Sequence, residues 1–295
     1  MMFLDQKKGF LGYDALYQTK PKIVVVPFGL EKTVSYGKGT KNGPQEIIKA
    51  SHQVELFDEE LNKEPYREIG IQTLKPFKIK NKIIDALNQI AEINNNILES
   101  KKIPIILGGE HSITPGSIKP FSKKLKRLTL VHFDAHADLR DEYEGEKNSH
   151  ASAIKRCLDY NNIDVISIGI RNLSKNEMRY YENNKNRVKI FWANNKKNWD
   201  LPELYKNLKQ KNVYITFDVD AFDASIMPAT GTPEPGGLFW DETLQILKNV
   251  CKISNVVGGD IVELSPIKNF DAYNFLVAKL VYKIISYIFE FKKEI

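Results

Sequence analysis

"RLTLVHFDAHADLRDEYEGEKNSH", Arg127 to His150, is the stretch from which the fold can be read. Its first half is apolar and β-branched, the composition of a buried strand, and it then turns abruptly polar and rich in carboxylates. His132, Asp134, His136 and Asp138 share parity, so an extended backbone aims them to one side. Of the 5 histidines in the chain, His132, His136 and His150 fall in this stretch, and His111 lies just upstream in "LGGEHS". Solvated polar residues do not scatter in that way. A strand ending in such a group places chemistry at its carboxyl end.

The pattern repeats on either side. "KIVVVPF", "IPIILGG", "DVISIGI", "RVKIFWA", "NVYITFDVD" and "NVVGGDIVEL" read as further strands, and Ile79–Lys101, Ala151–Tyr160, Leu201–Gln210 and Asp241–Cys251 as helices between them. Strands alternating with helices imply right-handed crossovers and a mostly parallel sheet covered on both faces. No repeat, linker or composition break divides residues 1–295, so one α/β domain is expected. Ligands of such folds gather beyond the carboxyl ends of the strands. The polar clusters fall there: His111 after "IPIILGG", the Asp134 group after "RLTLVHF", Asp218 and Asp220 in "ITFDVDAFD", and Asp260 and Glu263 in "DIVELSP".

Composition sets the outer limits. With 295 residues and 42% hydrophobic content the chain can fill a large core. The net charge is +6, but the lysines are dispersed along helix-like segments, the distribution of a solvated surface and not of a nucleic-acid footprint. Cys157 and Cys251 are far apart and form no CxxC pair, as expected of reduced core residues in a cytoplasmic protein. "MMFLDQKKGF" lacks the apolar run of a signal peptide, and the most apolar stretch, "FLVAKLVYKIISYIF", is broken by Lys279 and Lys283, so neither export nor a membrane span is expected.

His111, Asp134, His136, Asp138, Asp218 and Asp220 cannot converge uncompensated, because like charges repel and desolvation of each costs several kcal/mol. Divalent cations reverse that sign. Hard oxygen donors with a minority of nitrogen suit Mn²⁺ better than Zn²⁺, whose structural sites favour thiolates. Two cations bridged by carboxylates would hold a water and lower its pKa toward neutrality, which implies hydrolysis.

"GGEHS", "DAHAD" and "TFDVDAFD" followed by "PATGTPEPGGL" resemble the three signatures of the ureohydrolase family, the arginases and agmatinases, in order and spacing over nearly the whole chain. "VPF" followed by "SYGKGTKNGPQEIIKAS" also resembles the opening of agmatinases. The resemblance implies a three-layer α/β/α sandwich around a parallel sheet, two Mn²⁺ per chain, and a homo-oligomer, trimer or hexamer. It further implies that one cation takes His111, Asp134, Asp138 and Asp218 and the other His136, Asp134, Asp218 and Asp220. By the same likeness His150 in "NSHAS" moves protons or orients the leaving group, and Glu263 in "VELSP" holds the substrate's guanidinium. Ala229 stands where the family usually has glycine.

Not every polar residue in these stretches carries chemistry. His132 skips the family's ligand pattern and reads as a satisfied core or outer-sphere histidine, His52 as structural, and Asp223 as a brace for the Asp218 loop, a hydrogen-bond partner of a ligand histidine, or a residue of a local turn. For the substrate, the acids Asp141, Glu142 and Glu144 of the loop "LRDEYEGEKNSH" either face the pocket, where they attract a bare ammonium and repel a carboxylate, or point to water. That argument and the "TPEPGGL" wording favour agmatine, giving putrescine and urea, with aminopropylagmatine as a close rival, then arginine or guanidinobutyrate. A catalytically silent homologue and a zinc deacylase on the same fold are the readings from other classes. Metal content distinguishes them.

Overall fold

Along the strand starting at Ile23, Val24, Val26 and Phe28 enter one hydrophobic layer while Ile23 and Val25 enter the other, the period-2 alternation of a strand buried on both faces. The same division runs through the whole sheet of this computed structural model, which describes residues 1–13 and 20–291. Its strands are β1 (Ile23–Phe28), β2 (Ile71–Thr73), β3 (Ile103–Gly108), β4 (Leu128–Phe133), β5 (Ile163–Ile170), β6 (Val188–Trp192), β7 (Asn212–Asp218) and β8 (Asn255–Val262). They form one 8-stranded sheet in the order β2-β1-β3-β8-β7-β4-β5-β6, and every neighbouring pair is parallel.

Helices cover both faces. One is packed by α1 (Gly43–Ser51), α2 (Pro65–Ile69), α7 (Leu201–Leu208), α8 (Trp240–Ile253) and α9 (Ala272–Glu290). The other is packed by α3 (Ile83–Glu99), α4 (Thr114–Lys124) and α5 (Ala153–Cys157), with α6 (Lys175–Asn183) near the β6 edge adding Tyr180 and Tyr181. The expected three-layer α/β/α sandwich is the observed fold. Helix α9 is apolar and long enough to cross a membrane by composition alone, yet most of it is buried, and Lys283 within it is 1% exposed and reaches Asp58 at 3.0 Å and Glu59 at 3.1 Å. Cys157 and Cys251 are buried free thiols.

The strand order positions the site. β7 and β8 are late in the chain but lie between β3 and β4, so the four strands whose ends carry the polar clusters are neighbours at the centre of the sheet. β3 and β4 remain three strand intervals of about 4.8 Å apart, and the segments beyond them must bend over β8 and β7 to meet. Gly109 permits that bend: a Cβ there would stand 2.1 Å from the carbonyl oxygen of Leu30.

Candidate metal centre

His111 opens the short 3-10 turn His111–Ile113 after β3 and is 1% exposed. Its Nε2 lies 2.8 Å from Thr216 Oγ1, while Nδ1, buried, has no hydrogen-bond partner. Around that nitrogen stand Asp134 Oδ2 at 3.1 Å, Asp138 Oδ2 at 3.1 Å and Asp218 Oδ2 at 3.4 Å. Donors bound about 2.1–2.2 Å from a common cation and at right angles to one another stand about 3 Å apart. One imidazole nitrogen and three carboxylate oxygens at such spacings are a donor set that fits a hard divalent cation.

A second group adjoins the first through Asp134. Its Oδ2 faces His111, whereas Oδ1 lies 3.5 Å from His136 Nδ1 and accepts the His136 backbone N–H at 2.5 Å. His136 Nδ1 is also 2.9 Å from Asp220 Oδ2. The two carboxylates after β7 are locked by backbone donors, Asp220 Oδ1 accepting from Ala135 N at 3.0 Å and Asp218 Oδ1 from Asp220 N at 2.9 Å. Thus all six residues expected as ligands converge at the strand ends. His132 is near enough to Asp134 to be grouped with them, but its Nε2 already contacts Asp134 Oδ2 at 2.7 Å and its Nδ1 contacts Ser167 Oγ at 3.0 Å. Both ring nitrogens are engaged, so it supports the carboxylate from behind.

Without cations, protons balance this charge. Burial opposes protonation of His111, but Asp134, Asp138 and Asp218 outweigh it and hold the imidazole well above its usual range. His136 is likewise opposed by burial and raised to about 12 by Asp220 and Asp134. Burial, then the charges of Asp220 and Asp134, push Asp218 well up, and burial with Asp134 raises Asp220. Asp134 goes the other way: burial disfavours its ionisation, yet His132, His111 and His136 hold it well below the usual carboxylate range.

His111, His136, Asp138, Asp218 and Asp220 border a cavity of about 220 Å³ lined also by Tyr36, Arg140, Tyr143, His150, Glu177 and Glu263. Glu263 is 8% exposed and sits at φ 65°, a left-handed backbone that is costly for a residue with a side chain. Its Oε1 accepts the His111 backbone N–H at 2.7 Å. Burial is the main reason its carboxyl titrates well above the usual range. His150 contacts Thr33 Oγ1 through Nδ1 at 3.1 Å and faces the Tyr143 ring edge-on at 5.9 Å.

The acidic loop is arranged differently from the sequence expectation. Asp141, Glu142 and Glu144 do not border this cavity; all three are exposed, and Asp141 pairs with Arg156 at 2.7 Å and Lys155 at 3.6 Å. The turn closed between Tyr143 and Glu146 directs Arg140 and Tyr143 inward and the acids outward. Asp223 braces its loop by accepting from Ser225 and from the backbones of Gly236 and Gly237, bonds that lower its carboxyl to about 2. His52 contacts Gly9 O at 2.8 Å, far from the cavity. Ala229 avoids the left-handed region and is buried, its carbonyl accepting from Ser265 N at 2.9 Å, so alanine fits there.

Sequence reasoning missed Arg171, Thr33 and Glu110. Arg171 donates to the carbonyls of Gly169, Asp220, Phe222, Glu234 and Pro235, tying the end of β5 to the two loops that frame Asp220. Its place directly after "VISIGI", at a strand's carboxyl end, was the available signal.

The sequence profile described as Arginase, arginase family, matches residues 21–286. The chain belongs to the arginase family. Among curated members of that family it is 34% identical to the N(1)-aminopropylagmatine ureohydrolase of Synechocystis sp., over 97% of this chain and 95% of that one. It is 33% identical to the agmatinase of Halalkalibacterium halodurans, over 84% of this chain and 85% of the other. Among solved structures, the agmatine ureohydrolase of Thermoplasma volcanium superposes with a TM-score of 0.83 at 29% identity, covering 97% of this chain and 96% of that one. The chain is thus an arginase-family ureohydrolase, and the histidines and carboxylates that converge at its strand ends include two groups that could hold a metal ion.

Proposed function

We propose that this arginase-family enzyme hydrolyses the guanidino group of agmatine, releasing urea and putrescine, with two Mn²⁺ ions held by His111, Asp134, Asp138 and Asp218 and by His136, Asp134, Asp218 and Asp220. The observation that carries the reading is the unpartnered Nδ1 of His111 facing three carboxylates, beside a second histidine and carboxylate group that shares Asp134. Oxygen-rich donors favour Mn²⁺ over Zn²⁺. Bound there, the cations would supply Lewis acidity and an activated water.

The chain's own residues do the positioning. Glu263 has one oxygen occupied by the His111 N–H, and its other oxygen is free to accept from a planar guanidinium. His150, which borders the same cavity, takes a proton from water as its oxygen adds to the guanidino carbon and passes that proton to the departing amine as the C–N bond breaks. The wall is rich in carboxylates, and its one arginine, Arg140, is drawn to Glu177 at 3.6 Å and stacked on Tyr143 at 4.9 Å. Such a cavity favours a cationic substrate tail over an amino-acid head group. The buried free cysteines fit a reducing, cytoplasmic setting in polyamine biosynthesis, and we extend the family's homo-oligomeric assembly to this chain.

A second reading, aminopropylagmatine as substrate, is supported by the near full-length correspondence with the Synechocystis enzyme. A urea-release assay with Mn²⁺ across agmatine, aminopropylagmatine, arginine and guanidinobutyrate tests both. One of the two polyamine precursors should exceed arginine in kcat/KM by about 100-fold, equivalent to roughly 2.7 kcal/mol. Preference for arginine would overturn the substrate assignment, and no urea from any of them would overturn the activity.

A further inference from the structure

Glu110 is fully buried next to His111, yet both its oxygens are occupied away from the metal ligands. Oε2 accepts from Lys32 N at 2.6 Å and Thr33 N at 2.7 Å, and Oε1 accepts from Ser112 Oγ at 2.6 Å and Thr33 Oγ1 at 3.0 Å. The hydroxyl of Thr33 has a single proton, and the carboxylate takes it. Its remaining capacity is as an acceptor. One contact is the backbone N–H of His150 at 3.0 Å, and the other is Nδ1 of the His150 ring at 3.1 Å. A bond at the second contact therefore requires the proton to be on Nδ1. The opposite tautomer would set two lone pairs against each other, and the alternative donor, Ser149 Oγ, is farther from Nδ1 at 3.4 Å.

We propose that Thr33 and Glu110 are positioning residues that hold His150 as its Nδ1–H tautomer and leave the Nε2 lone pair to the cavity. The tautomer follows from donor and acceptor arithmetic alone. Its catalytic consequence rests on the reading of His150 as the proton-transfer group. The segment after β1, bonded to the end of β3 through Gly109 N to Phe28 O and Glu110 N to Leu30 O, thus brings a hydroxyl to a side chain 117 residues away.

The test uses the full chain with nitrogen-15 histidine, loaded with Mg²⁺ in place of paramagnetic Mn²⁺, and reads the tautomer from long-range proton–nitrogen correlations. The His150 signals are assigned by their loss in His150→Gln. The wild type should show Nδ1–H. Thr33→Val, which keeps the shape of a half-buried side chain, should shift the ring toward Nε2–H, and Thr33→Ser should restore it. With Mn²⁺, Thr33→Val should lower kcat by about tenfold or more while KM stays within about twofold and metal content is unchanged, since general acid–base catalysis contributes about 100-fold or more. Wild-type Nε2–H, or an unaltered tautomer in Thr33→Val, would overturn the proposal. Normal turnover in His150→Gln would remove the proton-transfer reading, and the tautomer signal would still decide the role of Thr33 and Glu110.

Discussion

Asp218 shows how much one side chain is asked to do: its Oδ2 faces His111, its Oδ1 caps Asp220 N, and burial with two neighbouring carboxylates strains its charge. An amide cannot neutralise two cations, so Asp218→Asn should lose at least one metal and at least about 100-fold in turnover, checked by elemental analysis of the desalted protein. Full occupancy with near-normal turnover would refute the ligand assignment. Glu263→Gln should keep its metals and lose roughly 10- to 100-fold in kcat/KM, the value of one charge-assisted hydrogen bond of about 1.5–3 kcal/mol. Metal loss would make Glu263 a structural residue. The gathering of His111, Asp134, His136, Asp138, Asp218 and Asp220 was legible from the carboxyl-end rule and not from strand parity, since β4 ends at Phe133 and Asp138 has a left-handed backbone at φ 50°. Glu110 and Thr33 were not, because their partnership spans 77 residues and neither has a local pattern. Asp141, Glu142 and Glu144 misled because charge in a loop says nothing about which side of a tight turn it occupies.

At the level of elements, all seven strands expected from β-branched runs are present, and the helix expected over Ile79–Lys101 is α3 at Ile83–Glu99. β2 escaped notice because three residues carry too little periodicity. α4 was hidden by its own composition: Pro115 at its start, Gly116, which lets it approach Leu87, and an internal Pro120 all read as helix breakers. α6 is polar, but its capping box of Ser174 and Glu177 was a readable start signal. Arg171 acts on elements and not on substrate, holding the loops after β5 and β7 in register with a planar fork. Lysine cannot reproduce that geometry. Arg171→Lys should therefore weaken metal retention and lower kcat by about tenfold, with Tm down by a few degrees for a loss of about 1–2 kcal/mol. Unchanged metal affinity and kcat would show that the clamp is dispensable.

For the whole molecule, the protons that balance the centre couple stability to pH. His136, ordinarily near 6.5 and raised here to about 12, contributes stability that is complete below pH 6.5 and lost as pH rises through the folded value. His111 has the same sign, and so do Asp218 and Asp220, whose contribution is complete below 3.8 and lost upward. Asp134, lowered, acts oppositely: its contribution is present above 3.8 and lost as pH falls, outside the neutral range. In chelator, Tm should thus fall between pH 6.5 and about pH 9, and the rise in Tm on adding Mn²⁺ should grow over the same interval as cations replace protons. A metal-free Tm that climbs with pH would contradict the linkage. The insertion of β7 and β8 between β3 and β4 has a kinetic consequence as well. When the first four strands emerge during synthesis, the inner edges of β3 and β4 have no partners, and contacts such as His111 to Glu263, 152 residues apart, cannot form until the last third of the chain arrives. Folding is therefore governed by late, distant pairings, and the half-made sheet displays two open edges to which other nascent chains can add strands.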